Sequence, residues 1–209
     1  MVSVPVRRRR LSVEDRRNEL VAVCWQLMGT TPWDELSMAD ISATAGVSKP
    51  LLYHYFANKS DLYLAAIRAA ADELRAATHP DPDLPAGPRL LKALAAHHDW
   101  IDENALAYRA ILQGGISSHP DVQAIVEESR AEVVRRLAEA FGYTVLTPTQ
   151  RIALRGWVGF LEGACVDWIA TRDISKPHLA RLLAASVSGA LRAAAVDSKT
   201  AEVSFGLAF

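Results

Sequence analysis

The stretch from Met38 to Tyr63 reads M-A-D-I-S-A-T-A-G-V-S-K-P-L-L-Y-H-Y-F-A-N-K-S-D-L-Y. It contains two short helical patterns, each preceded by a serine. Ser37 is placed to cap a helix over 38–45, and Gly46 stops it. Ser48 is placed to cap a second helix over 49–56. Pro50 falls in that helix's first turn, where backbone N–H groups have no intrahelical partner and a missing donor costs little. Two short helices around a glycine turn match a helix-turn-helix, in which the first helix props the second into a major groove. Ile41, Ala45, Val47, Leu52 and Phe56 are expected to form the small core between them. Lys49, Pro50, Leu51, Tyr53, His54 and Tyr55 are then left toward the outside. A cation, hydroxyl-bearing aromatics and a little apolar surface suit phosphate positioning and contact with thymine methyl groups. The same pattern occurs in proteins that touch no DNA. On the residues alone, a helical small-molecule-binding or scaffold protein without DNA function stays open.

Upstream, Leu20, Cys24, Leu27 and Met28 share one face of a helix beginning near Ser12, with Asp15 in its first turn and Gly29 as its stop. Downstream, Ser60 followed by Asp61 is expected to cap a long helix running to about Thr78, with Tyr63, Ile67, Ala70 and Leu74 on one face. Residues 79–88, H-P-D-P-D-L-P-A-G-P, carry four prolines and a glycine and read as a connector. Further helices are expected at about 89–103, 105–116, 120–141, 148–172 and 176–195. No alternating β-branched run with hairpin turns appears, so the fold class is all-α. The expected division is an N-terminal arm and helix-turn-helix over 1–60 and a larger helical domain over 61–209.

The net charge of −1 hides an uneven distribution. Residues 1–60 hold eight basic and six acidic side chains, which leaves 15 and 18 for the rest from totals of 23 and 24. Only the small N-terminal part leans basic, as a nucleic-acid partner requires. The basic run Arg7, Arg8, Arg9 and Arg10 reads as an arm reaching a neighbouring minor groove or as a solvated tail. It continues into polar sequence instead of an apolar leader core, and no stretch approaches the ~20 apolar residues that span a bilayer. A soluble, cytoplasmic protein with no membrane partner is expected. Cys24 and Cys165 lack C-x-x-C spacing and suggest buried thiols.

The run from Met38 to Tyr63, within a match extending from about Arg16 to Leu64, resembles the DNA-binding signature of the TetR family of transcriptional regulators. The resemblance implies that Lys49, Pro50, Leu51 and Tyr55 face base edges of a double-stranded operator. It implies that Thr44, Ser48, Tyr53, His54 and Lys59 lie near phosphates. Lys59 also fits on its own terms, since it precedes a helix N-terminus where free N–H groups favour an anion. Core packing is the other reading of Tyr53 and Tyr55, and a solvated surface position that of His54.

Beyond residue 78 the resemblance is architectural. It implies a ligand pocket among the middle helices and a dimer built from the last two helices of each subunit. Trp100, Tyr108, Ile111, Leu112, Trp157, Leu161 and Trp168 are candidates to line an apolar pocket for a small-molecule effector, or are simply core. I-D-E-N-A-L-A-Y-R-A-I-L, residues 101–112, resembles family members that sense fatty acyl compounds. In the penultimate helix Leu154, Val158, Leu161, Cys165 and Trp168 form one stripe, and Gly156, Gly159 and Gly163 a second. Two stripes imply two packing partners. With Ala184, Ala185, Ser188, Gly189 and Ala193 of the last helix, the glycines are expected at a homodimer contact or inside one subunit.

His97 and His98 beside Asp99 and Asp102 raise the question of a metal. Adjacent histidines are expected on different helix faces with no third partner nearby, which points to surface or pocket residues, no metal and no cofactor. No Ser-His-Asp order, glycine-rich phosphate loop or H-E-x-x-H motif supports an enzyme.

Overall fold

A computed structural model describes residues 12–79, 81–113 and 119–195. The arginine run 7–10 and the last residues, 196–209, lie outside the described residues. Among the described residues every regular element is a helix: α1 Val13–Met28, α2 Met38–Thr44, α3 Lys49–Tyr55, α4 Lys59–Ala77, α5 Ala86–Glu103, α6 Ala105–Gln113, α7 Pro120–Ala140, α8 Pro148–Thr171 and α9 Lys176–Ala195. No helix among them is long and apolar enough to cross a membrane. The chain divides into two compact units, Met1–Ala69 and Ala70–Phe209, and the division falls within α4.

Local chemistry sets most boundaries in the first unit. Ser12 and Ser37 each close a capping box, with Asp15 and Asp40 returning the bond to the cap backbone. Ser48 Oγ accepts from the Leu51 N–H at 3.3 Å, and Pro50 sits in the first turn of α3. The long helix starts two residues earlier than a Ser60 cap implies. Asn58 Oδ1 accepts from the Asp61 N–H at 2.9 Å, so the amide two residues upstream supplies the cap and Lys59 joins the helix. Gly29 ends α1 with an ordinary right-handed φ of −72°, whereas Gly46 has φ +63°. Leu20, Cys24, Ile41, Leu52 and Leu62 are fully buried and Phe56 nearly so, forming the core of this unit. Ala45 and Val47 are half-buried at its rim.

In the second unit α5 begins at Ala86, three residues before the expected start. Pro88 is accommodated in its first turn, where its missing N–H has no partner to lose. Arg89 donates to the carbonyls of Leu84 and Pro82, and Lys92 pairs with Asp81 at 2.9 Å, holding the proline-rich connector to the helix. α8 packs on α9 and α7, and α5 on α9. The expected inward stripe of α8 is buried throughout: Leu154, Val158, Leu161, Cys165 and Trp168 are at most 7% exposed. Arg130 of α7 clasps Glu162 of α8 through two bonds of 2.8 and 2.7 Å. Arg136 of α7, oriented by Glu132, donates to the carbonyls of Arg75 and Thr78 at the C-terminal end of α4, a favourable place for a cation.

A Cβ added at Gly46 meets nothing within 4 Å, so replacing it tests backbone conformation alone. Gly46→Ala is expected to cost about 1–2 kcal/mol, the penalty of a left-handed φ for an L-residue, and Gly46→Asn less. Urea denaturation measures both. An alanine variant as stable as the parent would mean the turn does not hold this φ in solution.

Candidate functional site

Seven residues are too few for a helix to persist alone, so packing must hold α3 in place. Leu52, 0% exposed, is its inward anchor, and Phe56 at 3% closes the C-terminal end beneath the Arg17 guanidinium, 5.0 Å from the ring centroid. With that side fixed, Ser48, Lys49, Pro50, Leu51, Tyr53 and His54 are exposed, as is Thr44 at the end of α2. Leu51 and Tyr53 are large apolar side chains left partly open to solvent, at 37% and 45%. Tyr55 is half-buried, its ring edge-to-face with His54 at 5.4 Å. The outward set therefore contains a cation, two hydroxyls near helix ends, an isobutyl group and aromatic hydroxyls on one short helix and its flanks.

Lys59 has a second task that the sequence does not reveal. Its Nζ donates to the Trp33 carbonyl at 2.5 Å and lies 4.3 Å from the centroid of the Trp33 ring, which is tilted against Tyr63. The ammonium thus pins the start of α4 to the turn between α1 and α2. Trp33, in the segment T-T-P-W-D-E-L between α1 and α2, thus supports this site from a position that carries no local signal for it.

The apolar candidates in the larger unit separate into groups. Trp157 gives its indole N–H to the Leu183 carbonyl and Ser186 Oγ of α9, both at 3.0 Å, and belongs to the α8–α9 seam. Trp168 gives its own to the Ile174 carbonyl at 2.8 Å while Arg172 stacks on its ring at 4.1 Å. Trp100, Tyr108 and Leu161 are buried; Ile111 and Leu112 are half-buried on α6.

The histidine pair departs from expectation. His98 is 0% exposed, and its ring lies 5.9 Å from that of His97 and 6.2 Å from that of Trp168. His97 lies 6.1 Å from the Tyr108 ring, and its Nδ1 is 4.0 Å from Cys165 Sγ of α8. The third partner missing from the local sequence comes from a helix 68 positions away. Burial holds the His97 imidazole down to about 3 and His98 to about 4, the latter also through Lys176, and pushes the Cys165 thiol up to about 12. Asp99 and Asp102 face elsewhere, paired with Lys176 at 2.8 Å each, and Asp102 also with Arg172 at 2.6 Å.

On α8 and α9 the small residues divide. Gly156, Gly159 and Gly163 are exposed, and a Cβ on any of them meets nothing within 4 Å. Ile152 and Phe160 on the same helix and Leu182 on α9 are 62%, 44% and 47% exposed, beside exposed Ala185 and half-exposed Gly189. Ser188, expected among them, lies inside instead: it is 3% exposed and its hydroxyl donates to the Ala184 carbonyl at 3.0 Å.

Residues 20–66 match the family model described as "Bacterial regulatory proteins, tetR family", and residues 86–189 match "Tetracyclin repressor-like, C-terminal domain". Among curated relatives, the HTH-type transcriptional activator FasR of Mycolicibacterium smegmatis is 32% identical over 122 residues, 56% of this chain and 55% of FasR. The HTH-type transcriptional regulator BetI of Rhizobium meliloti is 38% identical over 60 residues, 29% of this chain and 30% of BetI. The chain thus matches about half or less of the length of these two relatives. A tetR-family transcriptional regulator from Streptomyces coelicolor superposes with a TM-score of 0.83 at 28% identity, covering 89% of this chain and 84% of that one.

Lys59→Met keeps the aliphatic stem and removes the ammonium. It is expected to destabilise the first unit by about 1–3 kcal/mol, through the lost charged hydrogen bond and cation–π contact. Thermal melts of the two proteins check this, and equal midpoints would show that the ammonium stays in water.

Proposed function

Because the chain belongs to the TetR family of bacterial regulatory proteins, we propose that it is a ligand-responsive repressor. On this reading it binds a near-palindromic operator as a homodimer and leaves it when a small apolar ligand, fatty acyl compounds being one class, occupies the larger unit. The observation that carries the reading is the outward face of α3, held by buried Leu52 and Phe56. Lys49, Pro50, Leu51 and Tyr55 are assigned to base edges. Thr44, Ser48, Tyr53 and His54 are assigned to phosphates, together with Lys59 and the free N–H groups at the start of α4. A dimer places two such helices in successive major grooves, ~34–36 Å apart.

The dimer reading is supported by the bare apolar face of α8 and α9. Three glycines in one helix each cost roughly 0.8–1.0 kcal/mol relative to alanine, a cost that a closely approaching second helix offsets. The effector reading is supported by the aromatic interior of the larger unit, Trp100 and Tyr108 with Ile111, Leu112 and Leu161, and less by Trp157 and Trp168, whose N–H groups are committed to the Leu183 and Ile174 carbonyls. Coupling would pass through α4, which starts in the first unit and whose end Arg136 grips in the second. A ligand acts there only through different affinities for two states of the protein. FasR is an activator by name, so activation is the second reading. A reporter assay decides the sign.

Selection of bound fragments from genomic DNA, followed by a salt titration of the best of them, tests the function. Affinity should fall steeply with salt as Lys49, Lys59 and the arginine run displace counterions from phosphates. Absence of salt-sensitive binding to any fragment would refute the repressor and activator readings together, leaving the helical binding-protein alternative. Separately, Gly159→Leu should leave a folded, largely monomeric protein with collapsed operator affinity, because two half-sites are no longer bound together. Sedimentation with circular dichroism checks this; a folded dimer of full affinity would place the glycine face elsewhere.

A further inference from the structure

Consecutive helix positions diverge by about 100°, so neighbouring histidines seldom serve one site. Here they converge. One potential ligand atom from each of His97, His98 and Cys165 lies within 4.8 Å of the other two, inside the second unit. Neither ring nitrogen of His98 has a hydrogen-bond partner, although the side chain is completely buried. A neutral imidazole always presents one N–H donor and one acceptor, and buried polar groups are almost always satisfied. His97 and Trp168 surround this ring with aromatic surface instead of partners.

We propose that His97, His98 and Cys165 bind a borderline-to-soft transition-metal ion, with zinc as the divalent case. Two imidazole nitrogens and one thiolate are the donor set such ions prefer, and three protein ligands leave a fourth tetrahedral position for water or an exogenous donor. Typical zinc bond lengths require separations of about 3.3 Å between nitrogens and about 3.6 Å from nitrogen to sulfur. The present 4.0 Å between His97 Nδ1 and Cys165 Sγ needs a contraction of about 0.4 Å, and the widest pair at most about 1.5 Å, within the reach of side-chain rotation. Hard cations do not fit. Among the described residues no carboxylate joins the cluster, and the nearby Asp99 and Asp102 are paired with Lys176 and Arg172. As the metal–sulfur bond forms, the thiol's S–H bond breaks and its proton leaves to solvent, with no change in oxidation state. The bound ion would cross-link α5 to α8, whose opposite face carries the exposed glycines. The site stands independently of the apolar-effector reading and of DNA binding.

Cobalt(II) is the probe. Titrated into the full-length chain under a non-chelating reductant, it should saturate at one equivalent. A thiolate-to-cobalt charge-transfer band and the intense visible bands of tetrahedral cobalt should appear, and one equivalent of zinc should bleach both. Cys165→Ser should abolish the charge-transfer band, while Cys24 stays in place as an internal control. His98→Phe should weaken binding by at least about 10-fold. The wild-type titration needs no variant to fold, and absence of the sulfur band there overturns the proposal. So does a band that survives in Cys165→Ser, or cobalt affinity unchanged in folded His98→Phe.

Discussion

A helix of seven residues has no independent stability, since nucleation costs more than so few hydrogen bonds return. α3 therefore exists because Leu52 has nowhere else to go. Full burial of one leucine contributes about 1.5–3 kcal/mol, which is the scale of the whole problem. Phe56 fixes the other end, and Arg17 covers its ring. Because the anchoring side chains point one way, the exposed character of Lys49, Leu51 and Tyr53 follows from geometry rather than from their own preferences. A leucine at 37% and a tyrosine at 45% exposure are ordinary values for a surface taken singly. Here they stand beside Lys49 on one side of a short helix whose other side is anchored.

The second unit solves a different problem. α8 is held on three sides by three kinds of contact. A bidentate ion pair joins it to α7 through Arg130 and Glu162, an indole N–H joins it to α9 through Trp157, and the histidine–thiol cluster faces α5. The remaining side has almost no side chains, only Gly156, Gly159 and Gly163 flanked by Ile152 and Phe160. Arg136, six residues beyond Arg130 on α7, extends the same framework to carbonyls at the C-terminal end of α4.

What the sequence revealed depended on range. Ser12, Ser37 and Ser48 announce their helices because cap and capped amide lie three residues apart, and the inward stripe of α8 is readable because periodicity is local. N-K-S-D offers two competent capping oxygens, Asn58 and Ser60, and only the backbone path decides which reaches the free amide. The start of α5 is hidden in the sequence because Pro88 looks like a breaker until its position in the first turn is known. Contacts between distant segments left no trace: Lys59 with Trp33, Arg136 with Thr78, and His97 with Cys165. Ser188 is illegible for another reason: its small side chain suits either face of a helix, and its hydroxyl, bonded to the Ala184 carbonyl of its own helix, is satisfied when buried.

The two cysteines are the only thiols in the chain, both are fully buried, and they fall one in each unit. Burial pushes each up to about 12, so neither presents a reactive thiolate while its surroundings are closed. An alkylating reagent can therefore reach Cys24 only when the smaller unit opens and Cys165 only when the larger one does. The chain carries its own pair of local-unfolding clocks, one per unit. Their relative rates would show whether DNA or an effector quiets one half of the molecule while leaving the other free to breathe.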